Sequence, residues 1–215
     1  MPEIRTLTKN IKGENLIFTD QSALFWEREK AVIISDLHVG KTAHFRKNGI
    51  AVPSNILNDD LEKLKSSILN FQAKKLIIVG DFLHAGNNSD IDIFCDWRGQ
   101  FPDLEITLVK GNHDRINPQI LQKACIKEMV DELFMSPFTF IHEPSVSEDR
   151  FFISGHIHPG VLLEGKIQRL KFPCYAISQN QLVLPAFSKF TGLDYKTLGQ
   201  NFVKIAFAKG HIFEV

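Results

Sequence analysis

Asp36-Leu37-His38, Gly80-Asp81, Gly111-Asn112-His113-Asp114, His142 and Gly155-His156-Ile157-His158 place carboxylate, amide and imidazole donors at five separated points of the chain. Each is weak evidence alone: Asp-x-His often arises by chance, and a single histidine after an apolar strand is usually a core or surface residue. The ordered set is far more specific. Asp36/His38 and His156/His158 are spaced i, i+2, which in an extended segment puts both side chains on one side. Asp81 can bridge two cations, and Asn112 can add a neutral oxygen. Imidazole and oxygen donors without thiolate suit Mn²⁺, Fe²⁺ or Zn²⁺ better than a soft-metal site or Ca²⁺. Two such cations ~3.5–4 Å apart would lower the pKa of a bridging water and stabilise the entering and leaving oxygens of an in-line displacement. No nucleophilic Ser or Cys is then needed.

Donors so far apart in sequence need elements that gather them. AVIIS (31–35) precedes Asp36, KLIIV (75–79) precedes Gly80, ITLV precedes Lys110 and FFIS precedes Gly155, each reading as a buried strand. Strands that end in ligands are how an α/β sheet collects residues into one crevice. Residues 1–30 read as one or two strands (NLIFTD, SALFWE). Ser54 is positioned to cap a helix over about 55–71, where Ile56, Leu57, Leu61, Leu64, Ile68, Leu69 and Phe71 approximate helical spacing. A helix near 89–99 and a strand over 104–109 complete a β-α-β-α-β order, which predicts parallel strands with right-handed crossovers. Pro118 opens a short helix to about Cys125. Beyond it, 128–135, 138–142, 150–154, 161–164, 167–172, 174–178 and 181–184 are short, closely spaced and strand-like. The expected fold class is α/β: a two-sheet sandwich flanked by helices, parallel in its first half and mostly antiparallel in its second, as a single domain over 1–215.

Composition narrows the partners. The 215 residues are 44% hydrophobic and 23% charged, enough for a well-formed core. Lysine plus arginine equals aspartate plus glutamate at 25 each, so no whole-molecule field draws the chain to nucleic acid or to an acidic membrane. Polyanion contact must come from local clusters and the metals. Cys95, Cys125 and Cys174 form no C-x-x-C pair and read as reduced thiols in a cytosolic protein. MPEIRTLTKN has no apolar signal region, and the apolar runs, about five residues long, are far short of the ~20 that cross a bilayer. The expectation is a soluble cytoplasmic protein with no membrane partner.

The order D-x-H, G-D, G-N-H-D, a lone H and G-H-x-H resembles the calcineurin-like metallophosphoesterase superfamily over nearly the whole chain. The resemblance implies a sandwich fold of that family. It also implies two metal ions, with Asp36, His38, Asp81 and His158 around one, and Asp81, Asn112, His142 and His156 around the other. His113 follows a ligand and is expected beside the metals without binding them. It either stabilises the phosphoryl oxygen or protonates the leaving alkoxide, a step worth ~10²–10⁴-fold, or it merely orients its neighbours. Protein phosphatases of the superfamily carry Asp and Arg three and four positions after the G-D aspartate; here those places hold His84 and Ala85. The G-D-x-x-H pattern resembles the nuclease branch instead, making His84 a second candidate on the leaving-group side, the alternative being a histidine that caps a loop.

SDLHVGKTAHFRKNGIAVP (35–53), GDFLHAG, LVKGNHDR (108–115), SGHIHPGV (154–161) and LPAFSKFTG (184–192) together resemble a narrower group, the ligase-associated DNA damage response endonucleases (PdeM). That resemblance implies a manganese-dependent phosphodiesterase that cuts DNA, single strands above all, in functional association with a DNA ligase, a helicase and an exonuclease in repair. Lys41, Arg46 and Arg115 are expected to ring the crevice and meet phosphates flanking the scissile one; Lys47 is as well read as a solvated loop residue. Phe45, Phe187 and Phe190 either stack on bases or pack in the core. His44 and His211 receive no role. The neutral net charge disfavours tight duplex binding, which needs many neutralised phosphates. Two other readings compete: a phosphodiesterase for cyclic or dinucleotide substrates with the same site, and a non-catalytic protein-binding scaffold, which the complete ligand set disfavours.

Overall fold

The computed structural model describes residues 3–53, 55–84, 89–165, 168–208 and 210–215. Strands β1 (Thr6–Ile11), β2 (Glu14–Thr19) and β3 (Leu24–Trp26) form an antiparallel meander leading to β4 (Ala31–Ser35). From β4 the pairing turns parallel, through β5 (Lys75–Val79), β6 (Glu105–Val109) and β7 (Glu128–Val130), giving a seven-stranded sheet in chain order. Helices α2 (Ile56–Phe71) and α3 (Ser89–Arg98) are the crossovers that parallel pairing requires. Ser54, expected as the cap of the first of these, lies outside the described residues.

The second sheet has the order β15-β14-β12-β13-β10-β9-β8, and β11 pairs with β12. Its strands are β8 (Leu133–Met135), β9 (Phe138–Phe140), β10 (Phe151–Ser154), β11 (Gly160–Glu164), β12 (Arg169–Ile177), β13 (Gln181–Val183), β14 (Val203–Ala208) and β15 (His211–Glu214). Most pairs are antiparallel; β9-β10 and β10-β13 are parallel. In β4 and β5 both faces are buried. Val32, Ile34, Leu76 and Ile78 meet Leu57, Leu61, Leu64 and Ile68 of α2 and Ile91, Phe94 and Trp97 of α3. Ile33, Ile77 and Val79 instead meet Phe138, Phe140, Ile153 and Tyr175 between the sheets. Two covered faces explain why these strands read as unbroken apolar runs. Among the described residues, α2, α3 and α4 (Pro118–Lys123) all contribute to the first of these clusters, so the helical layer covers the first sheet.

Four details differ from the sequence reading. The segment 128–135 is two strands: β7 closes the first sheet and β8 opens the second. The stretches 167–172 and 174–178 are one strand, β12, which changes partner at Pro173, pairing with β11 up to that residue and with β14 from Cys174 onwards. A residue without an N–H is tolerated where the ladder switches. Strands β1, β14 and β15 were not expected. Nor was α1 (Lys41–Lys47), the short helix directly after the first motif. No helix among the described residues is long and apolar enough to cross a membrane.

Candidate metal centre

All five motifs sit just past the carboxyl ends of β4, β5, β6, β9 and β10, and backbone hydrogen bonds lash them together. Asp36 N donates to Gly80 O (3.1 Å), His38 N to Asp81 O (2.9 Å) and Val39 N to Phe82 O (2.8 Å). The buried Asp114 carboxylate accepts from the amides of Phe82 (3.2 Å), Leu83 (2.8 Å) and Gly111 (2.9 Å), joining the second motif to the third. Asp114 was not singled out from sequence; its signal was the last letter of G-N-H-D. Burial raises its carboxyl pKa against those three amides.

The i, i+2 pairs converge for a different reason from the one expected. Asp36 (φ 54°), His38 (φ 52°), Asp81 (φ 48°), His156 (φ 68°) and His158 (φ 55°) all lie in the left-handed region, not in extended backbone. Such a residue costs about 1–3 kcal/mol and persists only where its surroundings hold it, which clusters it at functional sites. Asp and His are among the side chains that accept the region most readily. Two glycines make room. A Cβ on Gly80 (φ 78°) would stand 1.8 Å from His142 Nδ1, and one on Gly111 would stand 2.2 Å from Asp81 N.

The candidate ligands form two groups, Asp36/His38/His158 and Asp81/His142/His156, and within each the donor atoms lie within 4.8 Å of one another. In the first, His158 Nε2 is 3.4 Å from Asp36 Oδ1. In the second, His142 Nε2 is 3.5 Å from Asp81 Oδ1, 3.1 Å from Asn112 Oδ1 and 3.1 Å from His156 Nδ1. His156 N donates to Asp36 Oδ2 (3.1 Å) and His113 N to Asp81 Oδ1 (3.1 Å), so each carboxylate is also held by the loop of another motif. Burial, then the charge of Lys41, pushes the His38 pKa down to about 3, leaving the neutral imidazole that a metal needs. Burial works against ionised Asp36, but the His158 imidazole, Ser35 and His142 together hold the carboxyl below its usual value. Asp36 Oδ1 and both ring nitrogens of His38 are buried without a hydrogen-bond partner. Buried polar atoms are rarely left so, and the unsatisfied donor set of carboxylate oxygen and imidazole fits a divalent cation.

A wall of imidazoles flanks the first group. His84 lies 5.7 Å (ring centroids) from His38 and 5.1 Å from His113, and His113 lies 6.1 Å from His38. His84 is fixed by its amide on Val39 O (2.9 Å). Burial, with the charges of His113, Lys41 and His44, lowers its pKa. His44, given no role from sequence, stands 5.6 Å from His84. Lys41 opens α1 close enough for its charge to act on His38 and His84.

The other expected contacts are less central. Arg46 Nη1 donates to Pro53 O (3.3 Å), and its charge acts on Asp90. Arg115 is exposed beside His113, its amide on His113 O (2.8 Å). Phe187 is 1% exposed with Lys63 Nζ 3.8 Å from its ring centroid, so it is a core residue and not a base-stacking platform. Phe45 and Phe190 pack edge-on at 5.3 Å. His211 lies away from both ligand groups, in a cavity with Lys63 and Lys171.

LPAFSKFTG has a structural task that the sequence did not reveal. Phe187 N donates to Ser35 O (2.8 Å) and Ser188 N to Asp36 O (3.3 Å), so the segment backs the first ligand. Asp60 and Lys63 of α2 secure it: Asp60 accepts from Lys189 N, and Lys63 Nζ donates to Phe187 O.

A family model described as calcineurin-like phosphoesterase matches residues 30–159. Among solved structures, the chain is similar to the Pseudomonas putida nuclease MPE, with 27% identity, a TM-score of 0.84, and 98% of this chain and 100% of that one covered. More distant likenesses are the E. coli phosphoesterase Yfce (13% identity, TM-score 0.46, 86% and 97% covered) and the Aquifex aeolicus protein AQ665 (18%, 0.41, 60% and 78%). No match to a curated protein was found.

Proposed function

Because the chain belongs to the calcineurin-like phosphoesterase family, we propose that this phosphoesterase is a two-metal DNA phosphodiesterase acting on single strands, in the cytoplasm and in a repair setting alongside a DNA ligase, a helicase and an exonuclease. We take 1–215 as one catalytic domain. The observation that carries the reading is the pairing of His84 with His113 beside His38, in a chain that aligns end to end with a solved nuclease.

Asp36, His38, Asp81 and His158 would hold one divalent cation, and Asp81, Asn112, His142 and His156 the other, with manganese the best match and Fe²⁺ or Zn²⁺ also suited to the donors. When bound, the cations supply Lewis acidity and a water nucleophile of lowered pKa. The chain's own residues do the rest. Asp81 and Asp114 hold the motif loops in register. Lys41 places a positive charge over the crevice for the phosphate. His113 would protonate the departing alkoxide, and His84, whose pKa burial and neighbouring charges lower, is a second candidate on the leaving-group side. Arg115 is exposed and free to meet a flanking phosphate; Arg46 would have to leave Pro53 to do so.

Metal-loaded protein should nick circular single-stranded DNA faster than duplex DNA and should also hydrolyse bis-p-nitrophenyl phosphate. Hydrolysis of the small diester with both DNAs left intact would favour the cyclic or dinucleotide reading. Inactivity at full manganese occupancy would favour a scaffold.

A further inference from the structure

Beside His156 lies a cavity of about 730 Å³ that none of the metal or leaving-group roles uses. We infer that it is a nucleobase pocket, taking one base of the scissile diester and preferring a base with an exocyclic amino group. The inference rests on the DNA reading above.

The place is right for it. His84 and His113 stand at the His38 side of the centre, whereas the cavity opens at His156, in the other ligand group. A diester seated between the two groups thus sends one nucleoside towards the imidazole wall and the other into the cavity. The size lies within the range of small-molecule sites, about 300–1,000 Å³.

The lining selects the ligand. Ile157, Leu198 and Phe202 supply apolar and aromatic surface, while Glu143, Gln179 and Asn201 supply polar groups. No lysine or arginine is among the described lining residues, so the cavity does not suit a second phosphate. An uncharged ring fits it. The walls are built rather than loose: Asn180 Nδ2 donates to Ser147 O (2.9 Å) and Gln181 Nε2 to Ser145 O (2.9 Å), fixing the loop that carries Glu143. Asp194 accepts from the amides of Lys196 (3.0 Å) and Thr197 (2.7 Å), and its own amide donates to His158 O (2.9 Å), tying the opposite wall to a metal ligand. The side chains of Asn180, Gln181 and Asp194 are thereby committed. Glu143 has no hydrogen-bond or ion-pair partner among the described residues, and a carboxylate can only accept. Cytosine, adenine and guanine offer it an amino group; thymine presents O4 where cytosine presents its N4 amine.

The test is a ratio taken within one enzyme preparation, so that metal loading cancels. With manganese-loaded protein, oligo(dC) should be cut about tenfold faster than oligo(dT) of equal length, the discrimination expected of one good base contact. Glu143→Gln, whose amide can donate to O4, should bring the ratio near one, and Phe202→Ala, distant in sequence from every ligand, should reduce it. Equal cutting by the native protein, or a ratio that survives both substitutions, would overturn the pocket and leave the DNA reading standing. No cutting of either oligomer, beside normal hydrolysis of bis-p-nitrophenyl phosphate, would remove the DNA reading and the pocket with it.

Discussion

The two ligand groups share one crevice, but their donor atoms have different partners. In Asp36/His38/His158, both ring nitrogens of His38 are buried and unpartnered, while Asp36 Oδ1 stands 3.4 Å from His158 Nε2. In Asp81/His142/His156, the same kinds of atoms are turned on one another, His142 Nε2 lying 3.1 Å from both Asn112 Oδ1 and His156 Nδ1. Each unsatisfied buried group costs about 1–3 kcal/mol. In the first group, then, the two nitrogens of one imidazole find no partner within the chain, while in the second the donors are partnered by one another. A binuclear site need not be two copies of one device.

The largest effect expected from breaking this arrangement is at Asp81, which touches the second group and anchors His113. Asp81→Asn should lower kcat on bis-p-nitrophenyl phosphate about 10³–10⁴-fold, the scale of losing several kcal/mol of charge stabilisation. Substantial turnover at unchanged metal content, measured by elemental analysis, would sink the assignment. Next comes His113, which belongs to neither group. His113→Ala should cost about 10²-fold in kcat while both metals stay bound; loss of a metal would make His113 a brace for Asn112 instead.

A third substitution pair addresses the contrast itself. In chelator-treated protein, His142→Ala should destabilise by about 2–4 kcal/mol in urea melts, since it empties buried volume and breaks a hydrogen-bond network. His38→Ala should cost no more than about 1 kcal/mol, because lost packing is offset by removing two unsatisfied ring nitrogens. Equal losses would mean that the two groups do not differ.

The most gradual effect is the pH dependence. The His38 pKa is depressed in the folded state to about 3, so below its unfolded value, roughly 6.5, the unfolded chain takes up a proton that the folded one refuses. Apo stability should thus be unaffected by this group above about pH 6.5. It should fall by about 1.4 kcal/mol per pH unit below that, with a shallower slope in His38→Ala.

The strands that end in ligands were legible because burial on both faces of β4 and β5 writes itself as unbroken apolar runs, and the metal donors stand directly after them. Strand β1 was harder to see because its faces alternate between exposed and half-buried, leaving little contrast with a polar segment. The strands β14 and β15 lie in the second sheet far from any motif, and nothing marked them. In the site, residue types were legible but backbone geometry was not: left-handed φ at five ligands comes from the bonds between loops, such as His38 N to Asp81 O, which a local pattern cannot contain. His44 was given no role because α1, seven residues long, carries too little periodicity to orient it towards His84. For Phe187, core packing was the default reading and stacking the alternative; what sequence does not record is that Lys63 of α2 covers its ring.

The support that residues 187 and 188 give to Ser35 and Asp36 bears on the order of events during synthesis. Asp36 and His38 leave the ribosome early, yet Ser188 follows about 150 residues later, roughly 8–30 s at translation rates of about 5–20 residues per second. Through that interval the carboxylate that opens the site lacks its backing segment, and His156 and His158 arrive late as well. A nascent chain can offer a cation no more than scattered donors, so the centre becomes competent only once the chain has nearly all emerged. A fragment ending before residue 186 would carry every candidate donor but not the backing of Ser35 and Asp36, and should bind metal more weakly than the full chain.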